Sequence, residues 1–229
     1  MAADTPVKIL STIAVQGAMT SIEPLLAARG IPVKIEFSTT NAIVERVTRG
    51  EVADIVILTQ AAAQQLAAAG KVKSQADLVR SEVGIAVADT APTPVMKTTD
   101  DLIAFLKATP SIAYTAGGAS GQHMAQVIEK LGLGEVMKPK TIVIKEGFAA
   151  ELVRDGKAAA AVQQVSELKF AGARNIVPLP DANQSRLIFS AAVLNGVSQV
   201  DATAKIIQAL TSAEAAAAYT RSGLAPVFK

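Results

Sequence analysis

Residues 33–58 read VKIEFSTTNAIVERVTRGEVADIVIL. Val33–Phe37 alternates apolar and charged side chains, the period-two pattern of a half-buried strand. Ala42–Arg49 repeats its apolar residues at helical spacing and stops at Gly50, the residue type favoured just past a helix end. Ala53–Leu58 is again a short apolar run of strand length. Between the first strand and the helix stand four hydroxyl and amide residues, Ser38-Thr39-Thr40-Asn41. A helix N-cap needs only one such residue.

The same alternation extends both ways. Upstream, a strand at Val7–Leu10 precedes a helix at Val15–Arg29 that ends at Gly30. Downstream, a helix at Ala61–Ala69 ends at Gly70. This β-α-β-α-β-α order predicts a mostly parallel sheet with right-handed crossovers. A strand at Val83–Ala88 leads to Asp89–Pro94, a proline-rich stretch read as a chain crossing. A second run then begins, with a helix at Thr99–Ala108, a strand at Ile112–Thr115 and a helix at Gly121–Leu131. It continues with a strand at Thr141–Ile144, a helix at Phe148–Asp155 and a strand at Ala159–Val162. A strand at Leu187–Leu194 and helices at Ala202–Leu210 and Ala213–Ser222 close the chain. The expected architecture is α/β with two lobes, each a mostly parallel sheet flanked by helices, and a ligand cleft between them. Lobe I is placed at residues 1–86 and 193–229, lobe II at residues 87–192, with two crossings as the hinge.

Composition narrows the function. Of the 229 residues, 50% are hydrophobic and 18% charged, below the roughly 25% charged of ordinary soluble domains. Much of the apolar content is alanine in runs, as at Ala158–Ala161 and Ala215–Ala218, which favours helices and close packing. No uncharged apolar stretch reaches about 18 residues, so no membrane insertion is expected. Net charge is +2, Trp is absent and Tyr occurs twice. Nucleic-acid readers need a basic stripe interleaved with aromatics, which this chain lacks. There is no Cys and only one His, which speaks against disulfides, a Cys nucleophile and a transition-metal site. No cofactor is expected. Met1-Ala2-Ala3-Asp4-Thr5-Pro6 reads as the start of a mature exported chain behind an added Met.

Three strand-to-helix junctions carry the candidate chemistry: Ser11-Thr12, Ser38–Asn41, and Ala116-Gly117-Gly118-Ala119-Ser120-Gly121. In open α/β sheets ligands bind at the C-terminal ends of strands, and free N–H groups with the helix dipole favour anions there. Capping alone accounts for any one junction. Three of them, two in one lobe and one in the other, point to an anion site. The glycine segment is neither a nucleotide phosphate loop nor G-x-G-x-x-G. His123, in the first turn after it, is a candidate donor or general base, or a merely packed histidine. Glu146 beside Gly147 is a candidate base or a helix-start acid. Asp54 reads as a loop tether and Glu167 as a local cap. No acid pair or G-x-S-x-G supports hydrolase chemistry.

Across nearly its whole length the chain resembles the periplasmic solute-binding proteins of the molybdate-binding type. The resemblance rests on Ile9-Leu10-Ser11-Thr12 through Gly17-Ala18-Met19, on Phe37-Ser38-Thr39-Thr40, and on Gly50-Glu51-Val52-Ala53-Asp54-Ile55-Val56-Ile57. Gly118-Ala119-Ser120-Gly121, Glu129-Lys130-Leu131-Gly132 and Ser222-Gly223-Leu224 complete it. It implies a periplasmic monomer that delivers a small anion to the membrane component of an ABC transporter. Uncharged donors would hold the ion: Ser11 and Thr12, then Thr39, Thr40 and Asn41, then Ala119 and Ser120 with Gly121, and Gln163. The family's serine soon after the first strand is Ala14 here, and its tyrosine late in lobe II is Gln163. An amide at that position suits a carboxylate or a different oxyanion equally. Some relatives look like isomerases of small organic acids, so the alternative function is an isomerase of a polycarboxylate with His123 or Glu146 as base.

Overall fold

The apolar runs and helical repeats fold into twenty regular elements in a computed structural model, which describes residues 5–197 and 199–228. In chain order these are β1 (Val7–Thr12), α1 (Gln16–Ala28), β2 (Val33–Ser38), α2 (Thr40–Thr48), β3 (Ile55–Thr59), α3 (Gln60–Ala68) and β4 (Val72–Val87). Next come α4 (Thr99–Ala108), β5 (Ile112–Thr115), α5 (Ala119–Lys130), α6 (Gly134–Met137), β6 (Thr141–Ile144), α7 (Ala149–Arg154), β7 (Ala160–Gln164) and α8 (Val165–Phe170). The chain closes with β8 (Ile176–Pro178), β9 (Arg186–Leu194), α9 (Val200–Leu210), α10 (Ala213–Arg221) and β10 (Ala225–Pro226). The reading of Met1–Pro6 as an exported start rests largely on residues 1–4, outside the described residues.

Two compact units emerge. Unit 1 is the chain up to Ser81 together with everything from Leu187 onward, and unit 2 is Glu82–Arg186. Residues 86–87 and 192–193 lie inside β4 and β9. The passage at Asp89–Pro94 is not a crossing, which corrects the sequence reading. Asp89 is held within unit 2, accepting from the backbone N–H of Arg174 at 3.0 Å and from its Nε at 2.8 Å.

In unit 1 the strand order is β2-β1-β3-β9-β4, with β10 on β4. β1 is parallel to β2 and to β3, while the returning strand β9 is antiparallel to β3. Alternate residues of the central strands feed two cores. Ile9, Ile55 and Ile57 pack with Met19, Ile22 and Leu26 of α1 and with Ile206, Leu210 and Tyr219 of α9 and α10. Leu10, Val56 and Leu58 pack with Ile43 and Val47 of α2 and Leu66 of α3. Burial on both faces explains why β3 reads as an unbroken apolar run. Each such side chain contributes about 1.5–3 kcal/mol. A partly exposed cluster braces the unit's rim: Arg46 pairs with Glu36 and Glu51, and Lys8 with Glu51. Asp54 does tether β3 to β1, accepting from the Lys8 backbone N–H at 2.8 Å.

In unit 2, β5 is parallel to β6 and β7, and β4 runs antiparallel to β7 and β8. One face buries Val83, Ile85, Ile112 and Val162 under Leu102 and Leu106 of α4 and Met124 and Val127 of α5. The other is lined by alanines, Ala86, Ala113 and Ala161, against Ala149, Ala150 and Leu168. Small side chains on both partners let α7 and α8 lie close to the sheet, which gives the alanine runs their structural use. Among the described residues no helix is long and apolar enough to cross a membrane.

Candidate functional site

The parallel strands bring the predicted junctions of unit 1 into one row. The register pairs Ser11 with Phe37 and with Ile57, and Thr12 with Ser38. Ser11–Thr12, Ser38–Thr39 and Thr59–Gln60 therefore share the C-terminal edge of the sheet. Ser11 and Thr12 are the last residues of β1 rather than the residues after it. Ser11 is fully buried and donates to the Thr12 carbonyl at 3.1 Å. Thr12 Oγ1 accepts from the Ala14 N–H, and Thr39 Oγ1 from the Ala42 N–H, both at a long 3.4 Å. These are loose caps, compatible with a hydroxyl also facing a ligand. Thr40 is buried in the first turn of α2. Asn41 is exposed and lines a surface groove with Val44 and Glu45 of α2 and Ala62 and Gln65 of α3.

Sequence reasoning passed over Thr59–Gln60, although a hydroxyl directly after an apolar strand was the signal used at the other junctions. Gln60 Nε2 donates to Asp77 at 2.6 Å, and Ser190 Oγ donates to the same carboxylate at 2.6 Å. This network joins α3, β4 and β9 next to the strand ends.

In unit 2, Ala119, Ser120 and Gly121 open α5, with Ser120 and Gly121 buried. The glycines here have a packing role. A Cβ on Gly118 would meet Thr115 Oγ1 at 2.3 Å, and one on Gly121 would meet the Thr115 carbonyl oxygen at 1.9 Å. They let the start of α5 sit directly against the end of β5. His123 is half-buried, and its Nε2 lies 2.7 Å from the Asn183 carbonyl oxygen. A carbonyl only accepts, so Nε2 carries a proton, and in the neutral ring Nδ1 is the acceptor. Glu146 is exposed on the loop after β6.

β7 ends in two amides with opposite fates. Gln163 is fully buried; its Oε1 accepts from the Ala149 N–H at 2.7 Å and its Nε2 donates to the Gly147 carbonyl at 3.1 Å. It holds the loop before α7. Gln164 is 1% exposed, and neither its Oε1 nor its Nε2 has a partner. Glu167 is buried beneath them. Burial pushes its carboxyl up to about 8, against hydrogen bonds from the Gln164 backbone and the Gln163 side chain that lower it. Among the described residues no group of three or more His, Asp or Glu side chains could hold a metal ion.

Helix first turns divide into two sets. α4, α6, α7, α8, α9 and α10 each carry an acid there, complementing the positive helix end. α1, α2, α3 and α5 carry none. The acid-free set comprises the helices that follow β1, β2, β3 and β5, so their N-termini keep an uncompensated positive end.

The profile of the bacterial extracellular solute-binding proteins matches residues 7–225. The chain belongs to that family. A curated relative, an aconitate isomerase from a Pseudomonas species, is 30% identical over 233 residues, 97% of this chain and 88% of that protein. The fold of this family member is that of two-lobed periplasmic binding proteins. The periplasmic molybdate-binding protein of Azotobacter vinelandii superposes with a TM-score of 0.80 at 13% identity, covering 95% of this chain and 98% of the other. Campylobacter jejuni PEB3 with L-phospholactate bound gives 0.71 at 18% identity over 96% and 99%. The sulfate-binding protein SubI of Mycobacterium tuberculosis gives 0.73 at 14% over 97% and 87%. The resemblance to molybdate-type binders read from the sequence therefore holds as family and fold.

Proposed function

We propose that this protein binds a small anion in the periplasm through neutral strand-end donors and acid-free helix N-termini, and hands it to the membrane component of an ABC transporter. The observation that carries the reading is the partition of acids among the helix first turns. Thr12, Thr39 and Thr40 in unit 1, joined by Ser11 once its hydroxyl turns from the Thr12 carbonyl, and Ala119, Ser120 and Gly121 in unit 2, are the donors assigned. Gln163 and Asn41 leave the set, the first because its amide is engaged with Gly147 and Ala149, the second because it is exposed toward α3. Charge-assisted hydrogen bonds from such neutral groups hold an anion without a buried counter-charge. The ligand class favoured is a small carboxylate. Aconitate isomerase is the relative at 30% identity, and PEB3 shares the fold with an organic acid bound.

A thermal-shift screen over molybdate, sulfate, citrate and aconitate tests this. A true ligand raises the melting temperature in a dose-dependent way by mass action. No shift with any anion up to millimolar concentration sinks the reading.

The aconitate isomerase likeness favours a second reading, an isomerase of a polycarboxylic acid that needs a base beside the substrate. His123 Nδ1 is the acceptor that would serve, with Glu146 as the other candidate. Aconitate incubated with the protein in deuterated water should interconvert between cis and trans forms by proton NMR. The conversion should be lost in His123→Ala. Aconitate recovered unchanged removes this reading and leaves the carrier.

A further inference from the structure

β7 places two consecutive amides where three parallel strands, β5, β6 and β7, end together. Strand alternation sends them to opposite faces. Gln163 goes with Ala161 to the face covered by α7, where both ends of its amide are used. Gln164 goes with Val162 to the face covered by Met124 and Val127 of α5, the helix whose N-terminus the anion reading uses. Its backbone is fixed, because its N–H is bonded to the buried Glu167 carboxyl. Its side chain nevertheless leaves a donor and an acceptor buried and unpaired. Each such group costs about 1–3 kcal/mol, and native folds keep few of them without a reason.

A primary amide makes a particular demand. Nε2 donates and needs an oxygen with lone pairs, while Oε1 accepts and needs an O–H or N–H. A fully deprotonated inorganic oxyanion offers acceptors only, so it satisfies Nε2 and turns its negative oxygens toward Oε1. We propose that Gln164 is a ligand-reading residue and that the ligand is a hydroxycarboxylic acid, with Nε2 donating to a carboxylate oxygen and Oε1 accepting from the hydroxyl. This rests on the reading of an anion held at the strand ends, and it narrows that anion's chemistry.

Isothermal titration of the full chain and of Gln164→Met tests it with two matched pairs, citrate with tricarballylate and malate with succinate, alongside trans-aconitate and molybdate. Within a pair the carboxylates are the same and only the hydroxyl differs. The wild type should favour the hydroxylated member of at least one pair by roughly tenfold or more, since a site built for a hydroxyl leaves its partner unpaired when the hydroxyl is missing. Gln164→Met should reduce that ratio to about two or less. trans-Aconitate, with no hydroxyl, should behave like tricarballylate. Equal binding within both pairs, or a preference that survives Gln164→Met, overturns the proposal. Tight molybdate binding in preference to every acid overturns it too but leaves the anion reading standing; failure of every probe to bind removes both. Without ligand, Gln164→Met should melt at or above the wild type, because two orphaned polar atoms are gone. A fall of several degrees would show that the amide has an internal partner, and would also overturn the proposal.

Discussion

Gly121→Ala should be among the most damaging single-methyl additions in unit 2, and the reason is geometric. The added Cβ would sit 1.9 Å from the Thr115 carbonyl oxygen and 3.2 Å from Tyr114 Cδ2. Ordinary contact begins near 3.4 Å, so about 1.5 Å of separation must be found. The obstructing atom is backbone, and no rotamer change moves it. α5 must retreat from β5, loosening Met124 and Val127 from the core they share with Tyr114 and Val162. Overpacking of this kind costs about 3 kcal/mol or more. For a chain of this size that corresponds to a melting temperature lower by roughly 6–12 °C. Differential scanning calorimetry, with urea unfolding as a second measure, reads it directly. Gly118→Ala is the internal control. Its clash, at 2.3 Å, is with the Thr115 hydroxyl, which can rotate or be removed. Thr115→Ala should rescue much of the loss in Gly118→Ala and none of the loss in Gly121→Ala. A Gly121→Ala protein melting within about 2 °C of wild type would refute the packing argument for these glycines.

Four further outcomes follow from the structure. The Glu167 carboxyl sits near 8 in the folded protein against 4.5 as its reference value, so the folded state holds a proton that the unfolded state has released. Stability should fall as pH rises from about 4.5 to about 8, by a few kcal/mol in all, and urea titrations of Glu167→Gln should show that slope flattened. Glu51, held down to about 2 mainly by Arg46, acts in the opposite direction: its contribution is complete above about 4.5 and is lost as pH falls toward 2. Glu51→Gln should flatten this acid limb. Gln163→Ala would leave the Ala149 N–H and the Gly147 carbonyl without their side-chain partner, costing roughly 2–4 kcal/mol; hydrogen exchange should speed up at residues 147–150 more than elsewhere, and uniform exchange would contradict the tether. Thr39→Ala removes only a loose cap, so the free protein should lose about 1 kcal/mol or less while affinity for its anion falls about tenfold or more.

Periodicity carried most of the fold. The βαβ order, the glycine stops and the residues of the parallel strands were legible because burial imposes period two or 3.6 on them. The first eleven residues of β4 were not, because Lys73 and Ser74 are exposed and no apolar face repeats there. β8 and α6 are too short to show any period. The antiparallel return of β9 is set by long-range pairing with β3, which no local pattern encodes. At the site, the hydroxyl junctions were legible as chemistry but not as roles. Gly118 and Gly121 read as part of an anion-binding junction, yet the oxygens they sit against are the hydroxyl and the carbonyl of Thr115. Of two adjacent glutamines, the one singled out from the sequence is tied to its own loop, and the unpaired one is its neighbour. Which amide faces which helix is decided by how α5 and α7 pack, and nothing within Gln163-Gln164 distinguishes them.

That adjacency also gives the molecule a built-in pair of spectroscopic probes. Both side-chain amides sit on the same strand, one residue apart, so global changes in unit 2 move their nitrogen-15 signals together. Gln163, locked to Gly147 and Ala149, serves as the stationary reference. Gln164 is free to respond to whatever arrives beside α5. Occupancy can therefore be followed in nitrogen-15-enriched protein as movement of the Gln164 side-chain signal against that of Gln163, with no residue changed.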